Sequence, residues 1–220
     1  LTLGYPTLKI RAAKINGIDV AAGTDTLSAS EKVTIEGEVT DNAGSLLTDF
    51  NGIVYPTIYD KAQNVNTLAN DAGSLVTGFL SQTNILFKGK ASVINGKFKV
   101  DFKVPRDINF QFGNGKISLY ANDETKDANG FFTGFIIGGA GGNTDDDKEG
   151  PKIKAFLNDE KFVNGGITNK SPVLIVKLSD SSGINTAGTG IGHDIVATLD
   201  NDNRNFYVLN DFYISELDNF

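Results

Sequence analysis

His193 is the only histidine in the 220 residues, and the chain has no cysteine. It stands in Gly190-Ile191-Gly192-His193-Asp194, where a neighbouring acid could orient an imidazole as a general base. A base needs a nucleophile within reach. No thiolate is available, and no Gly-x-Ser-x-Gly elbow presents a serine. A single histidine without a nucleophile lacks the mutual geometry of a catalytic site. His193 therefore reads as a turn or strand-entry residue, and no catalytic residue is assigned.

The other chemistry to weigh is hard-cation binding. Asp145, Asp146, Asp147 and Glu149 crowd one stretch and could offer carboxylate oxygens to a structural Ca²⁺. Asp145, Asp147 and Asp180 are the candidate ligands. The spacing is not the Asp-x-Asp-x-Asp-Gly pattern of an EF-hand, and a solvated acidic linker accounts for the run better. Asp180 with Asn185, and Asp200 with Asp202, are equally the residues of Asx turns. Gly138 to Gly142 lacks the Lys-Ser/Thr and following helix of a phosphate loop. No cofactor is expected beyond that Ca²⁺. Tyr5, Tyr55, Phe79, Phe87 and Tyr120 could stack on a sugar, but there is no Trp, and core filling suits them better.

Composition narrows the class further. Hydrophobic residues make up 40%, with 15 Phe and 6 Tyr, enough to fill real cores. The net charge of −7 and the lack of Lys/Arg runs leave no basic face for phosphates, so nucleic acid is not an expected partner. No apolar run is long enough to span a bilayer as a helix, so no membrane insertion by this segment is expected. The chain starts in mid-pattern at Leu1, which reads as a piece of something longer.

These residues must be carried by strands. Short β-branched and aromatic runs alternate with Gly/Asn/Asp clusters, and helical periodicity is nearly absent. Lys9 to Ala13 and Lys14 to Val20 read as strand pieces, the second broken at Asn16-Gly17. Lys32 to Thr40 alternates Val33, Ile35 and Val39 with polar residues. Gly37 inside it marks a bulge or a close backbone approach. Gly52 to Tyr59 is the next strand, at an edge or bulged at Pro56 because proline has no donor for a ladder. Asp60 to Leu80 reads as a long loop with one short strand. Phe87 to Ile94 and Lys97 to Val104 flank Asn95-Gly96, which predicts a type I′ hairpin. Lys116 to Ala121 and Phe131 to Ile137 complete the set.

The predicted fold is all-β, with two consecutive immunoglobulin-like β-sandwich modules. Residues 1–137 form the first, residues 138–151 a Gly-rich and acidic linker, and residues 152–220 the second. Lys152 to Leu157, Pro172 to Ser179 and Asp194 to Leu199 are its strands. A full sandwich of this kind needs about 100 residues, so the second module is expected to be truncated.

Three stretches carry a resemblance: Gly37 to Lys61 (GEVTDNAGSLLTDFNGIVYPTIYDK), Ile85 to Asn109 (ILFKGKASVINGKFKVDFKVPRDIN) and Glu149 to Asn185 (EGPKIKAFLNDEKFVNGGITNKSPVLIVKLSDSSGIN). Together with GKISLYA (Gly115 to Ala121) and GIGHDIVATLD (Gly190 to Asp200), they resemble a gingipain-type cysteine peptidase family. The matching part is the region after the peptidase domain in the type IX secretion system sortase of Bacteroidetes. The resemblance implies a surface peptidase that removes the sorting domain of secreted cargo and attaches the cargo to an anionic lipopolysaccharide. The catalytic Cys and His would lie in the upstream domain. This segment would be a non-catalytic support and protein-docking surface, secreted to the cell surface and associated with the outer membrane. Its partners would be the upstream peptidase domain of the same polypeptide and outer-membrane secretion components or cargo. An adhesin-like or carbohydrate-binding module is the alternative.

Overall fold

A computed structural model describes residues 6–23, 26–141, 149–180, 183–185 and 194–218. The chain divides into two compact units, one of Leu1–Asn143 with Asn185–Phe220, the other of Thr144–Ile184. The first unit opens with β1 (Leu8–Ile15), β2 (Ile18–Asp19), β3 (Thr26–Ala29), β4 (Lys32–Thr40) and β5 (Gly52–Tyr59). It continues through β6 (Gln63–Asn66), β7 (Gly78–Ser81), β8 (Ile85–Lys88), β9 (Ala91–Ile94) and β10 (Lys97–Lys103). Then come β11 (Gly113–Asn114), β12 (Lys116–Asn122), β13 (Asp127–Phe132) and β14 (Ile136–Ala140). β15 (Lys152–Leu157) and β16 (Leu174–Ser179) form the second unit. β17 (Val196–Thr198) and β18 (Phe206–Val208) return to the first.

Seven strands close on themselves. Pairing runs β12–β13–β1–β4–β10–β9–β5, and β5 then pairs with β12 from Lys116↔Tyr59 to Asn122↔Ile53. This is a closed barrel, and it overturns the expected pair of open immunoglobulin-like sandwiches. Alternation shows that each strand buries one face. It does not say whether those faces meet between two sheets or around one closed sheet. Here they meet around one. Ile10, Ile35, Ile58, Val100, Ile117 and Leu119 come from five strands and join a single cluster, each at most 2% exposed. Each side chain of this size buried fully contributes about 1.5–3 kcal/mol.

The local signals place the turns. Asn95 and Gly96 have φ of 51° and 73°, as a type I′ turn between β9 and β10 requires. Gly37 lies opposite Phe98 of β10 and Ala12 of β1. The β1–β4 register shifts between Ala12 and Lys14, so the bulge sits on the neighbouring strand. Pro56 is buried inside the barrel wall rather than at an edge. Its carbonyl accepts a hydrogen bond from the Gly89 N–H at 3.2 Å. A strand residue's N–H and C=O point the same way, so the missing donor faces the break between β8 and β9.

The run Phe131 to Ile137 is not one strand. β13 ends at Phe132, and β14 starts at Ile136 in a second sheet of order β11–β14–β3. Phe132 and Phe135 stack at 6.1 Å across the step. β14 continues to Ala140, with a register shift between Ile137 and Ala140 where Gly138 and Gly139 have φ of 152° and 78°. A Cβ on Gly138 would lie 2.7 Å from the Gln111 carbonyl oxygen. Leu27, Phe135 and Ile137 of this region belong to the barrel's own core cluster.

Residues 213–218 close a gap in the barrel wall. β9 shares two register pairs with β10, Lys97↔Ile94 and Phe98↔Val93, and then diverges. Ser215 N–H donates to the Lys88 carbonyl at 3.1 Å, and Asp218 N–H to the Lys90 carbonyl at 3.1 Å. The Asp218 carboxylate accepts from Ser92 N–H at 2.7 Å and from Ser92 Oγ at 2.6 Å. Tyr213 leads into this strap beside Lys88 and Ile85, and burial raises its phenol above the ordinary range. A raised phenol holds its proton in the folded chain after the unfolded chain has lost it. Stability is then complete below the ordinary tyrosine value, about 10, and falls as pH rises through the folded value. Urea unfolding of wild type and Tyr213→Phe across the alkaline range should show a steeper decline for wild type. Parallel curves would contradict the assignment.

The second unit is one hairpin, β15 with β16, in register from Lys152↔Ser179 to Leu157↔Leu174. Asn158 fastens its loop end, donating to Thr168 Oγ1 at 2.7 Å and accepting from Val173 N–H at 3.1 Å. None of its described residues is among the buried hydrophobics of the chain. That is also not an immunoglobulin-like sandwich.

Candidate docking surface

The barrel wall has an outer face as well as a core. In β5, Val54, Pro56 and Ile58 point inward, which leaves Tyr55, Thr57 and Tyr59 outward. β12 alternates the same way, so Lys116, Ser118 and Tyr120 stand beside them. Register pairs Tyr120 with Tyr55, Ser118 with Thr57 and Lys116 with Tyr59. The Tyr55 and Tyr120 rings lie 6.1 Å apart at 36°. Lys116 Nζ sits 5.5 Å from the centre of the Tyr59 ring, a cation–π contact. β13 adds Asn129 opposite Tyr120 and Phe131 opposite Ser118. Phe131 is 70% exposed and Tyr120 41%.

Tyrosines, a phenylalanine and a lysine stem on a rigid wall make a surface suited to protein contact. Aromatic residues are enriched at interfaces because they bury large area at little entropic cost. The two tyrosine rings are tilted, so they do not form the flat platform on which a sugar ring stacks. Of the aromatic residues expected to fill the core, Phe87 does so, stacked on Phe102 at 5.2 Å. Phe79 and Tyr120 are exposed, at 48% and 41%. Tyr5 lies outside the described residues.

His193, Asp145, Asp146 and Asp147 lie outside the described residues. Asp180 follows β16 and lines a cavity of about 280 Å³ with Glu149, Gly150, Lys152 and Ser179. Asp200 and Asn201 have φ of 55° and 56° in the β17–β18 turn, where Asp202 pairs with Arg204 at 2.9 Å. The Arg204 guanidinium lowers the Asp202 carboxyl below its usual range. Asn185 donates to Asp107 Oδ1 at 2.8 Å. Among the described residues, no three or more His, Asp or Glu side chains converge on a common point. No helix among the described residues is long and apolar enough to cross a membrane.

Sequence reading assigned Tyr55 and Tyr120 to core filling because Gly52 to Tyr59 carries large apolar or aromatic residues at both inward and outward positions. The signal that could have found the outer face is the type of residue: the outward set carries the tyrosines, the inward set is aliphatic.

No protein-family model matches this chain, and no curated protein sequence does. Among solved structures, 96% of the chain aligns with dimeric latent PorU from Porphyromonas gingivalis at 31% identity and a TM-score of 0.61. The chain covers 20% of that longer protein. The sporulation control protein Spo0M from Bacillus subtilis aligns over 61% of this chain and 51% of its own. Its identity is 11% and its TM-score 0.36, too distant to inform the fold.

Proposed function

From a chain that is homologous to one segment of PorU, we infer a non-catalytic accessory region of a cell-surface, gingipain-type cysteine peptidase. One observation carries this reading. Nearly the whole chain aligns inside a relative about five times longer, so its role is that of a part. The chain has no cysteine, and a thiolate peptidase centre must lie elsewhere in such a protein. What remains for a closed barrel is rigid support and a surface for docking.

The parent protein is then a type IX secretion sortase that cleaves the sorting domains of cargo and passes the cargo to an anionic lipopolysaccharide. The segment works outside the cell, at the outer membrane. Its first partner is the upstream peptidase domain of the same polypeptide, and the Tyr55–Tyr120–Phe131 face is the docking surface. Outer-membrane secretion components or cargo are the further partners.

The test is peptidase activity on a sorting-domain substrate. The segment alone should be inactive, and adding it to the separately produced peptidase domain should raise that domain's activity or its melting temperature. The double variant Tyr120→Glu/Phe131→Glu should lose the effect while keeping the wild-type circular dichroism. Activity from the segment alone would overturn the reading. No effect of the wild-type segment would remove the docking claim.

A further inference from the structure

The barrel wall opposite the tyrosines is basic. β4 stands three pairings from β12 in one direction and three from β5 in the other, so β4 and its neighbours β1 and β10 face away from Tyr55 and Tyr120. Alternation turns Lys9, Arg11 and Lys14 of β1 outward, and Lys97, Lys99 and Lys103 of β10. Between them β4 turns out Lys32, Glu36 and Glu38. With Asp101, the three strands present seven cations against three carboxylates, on a chain whose net charge is −7. The absence of Lys/Arg runs hid this face, because its cations sit at alternate positions on separate strands.

Register sorts the charges into rows. Glu38 lies between Arg11 and Lys97, and Glu36 between Lys14 and Lys99. Two basic rows, about 10 Å apart from the spacing of strands, therefore flank an acidic one. Arg11 pairs with Glu38 at 2.5 Å and Lys99 with Asp101 at 3.1 Å. Lys9, Lys14, Lys32 and Lys97 are exposed and form no ion pair among the described residues. Lys32 stands directly opposite Lys103, an arrangement that costs a sheet stability and that an incoming anion relieves.

The central row selects the partner's chemistry. A polyanion that offers only acceptors meets Glu36 and Glu38 as like charge. An extended polypeptide laid over β4 sends successive side chains to opposite sides, so consecutive acidic residues reach both basic rows. Their repeat on one side, about 6.8 Å, matches the two-residue step from Lys97 to Lys99. Alternate backbone N–H groups of such a segment face Glu36 and Glu38.

We propose that this wall binds an extended acidic segment of a partner protein, lying along β4. The barrel then offers a separate contact face on each side. This goes beyond the accessory role, and it stands whether or not the tyrosine face docks the peptidase domain.

Fluorescence anisotropy of a labelled oligoglutamate peptide, titrated with the 220-residue chain, tests it. Binding should saturate, and added salt should weaken it by screening the charges. Lys14→Gln/Lys97→Gln removes one cation from each row and should weaken binding about tenfold. Both lysines are exposed, so this variant should keep the wild-type melting temperature. Lys116→Gln, on the tyrosine wall, should leave binding unchanged. Oligogalacturonate of the same length carries the same carboxylates without amide N–H groups, and it should bind several-fold more weakly than the peptide. A peptide that does not bind, a loss in Lys116→Gln equal to that of the double variant, or oligogalacturonate binding as tightly as the peptide would overturn the proposal.

Discussion

Gly37→Val should destabilise the barrel by about 3 kcal/mol or more, the upper end of what overpacking costs. A Cβ at this position would stand 2.4 Å from the Arg11 carbonyl oxygen and closer still to Cζ of Phe98. The Arg11 carbonyl belongs to β1, which flanks β4, and cannot withdraw without loosening that ladder, whereas the Phe98 ring can give way only by repacking the core. The Phe98 ring, 5% exposed, covers the glycine and fills the space a side chain would take. At about 2–4 °C per kcal/mol for a chain of this size, the melting temperature should fall on the order of 10 °C. Gly37→Val/Phe98→Leu separates the two contacts. Trimming the ring should restore only part of the loss, because the Arg11 carbonyl remains. A Gly37→Val protein that melts like wild type would mean that the strands are not packed this closely.

Removing the amine of Lys61 should cost about as much, roughly 3–5 kcal/mol, because it leaves a buried carboxylate without its cation. Asp60 and Lys61 follow β5 directly and are 1% and 8% exposed. Lys61 Nζ lies 2.8 Å from Asp60 Oδ1, which also accepts the Lys61 N–H at 2.8 Å. The Asp60 backbone is held too: its N–H donates to the Asn84 carbonyl, and its carbonyl accepts from Gln82 Nε2, both at 2.8 Å. Lys61→Met keeps the stem packed against Gly113 and removes only the charge. The double variant Asp60→Asn/Lys61→Met should recover most of the loss, since the asparagine can still accept the backbone N–H and carries no charge. Urea unfolding of the two variants decides it. Equal destabilisation of the single and double variants would show that the packing, not the ion pair, matters here.

Neither element of the second prediction was legible as a site. Asp60 and Lys61 open a stretch that reads as a polar loop, and adjacent charges on a strand end normally face water. Gly113 of β11, some fifty residues later in the chain, lies against the Lys61 stem, a contact that only the tertiary structure makes. The docking face was hidden for a related reason. Tyr55 and Tyr120 become neighbours only because β5 and β12 pair, and those strands are separated by the β6–β11 segment.

What the sequence alone determined is local. Asn95-Gly96 specifies its turn because both residues must take positive φ, and few others do so cheaply. Lys32 to Thr40 and Lys97 to Lys103 specify strands and their buried faces by strict alternation. Gly37 announces a close approach. The missing cysteine removes a thiol nucleophile wherever the chain folds. What the tertiary structure decided is closure. The β12–β5 pairing converts alternating strands into one barrel, breaks Phe131 to Ile137 between two sheets and admits residues 213–218 into the wall. The physical reason is that alternation encodes which face of a strand is dry, whereas closure depends on which distant strand supplies the hydrogen bonds at each edge. Backbone donors and acceptors are nearly the same in every residue, so the choice of neighbour is made by the packing of the whole core.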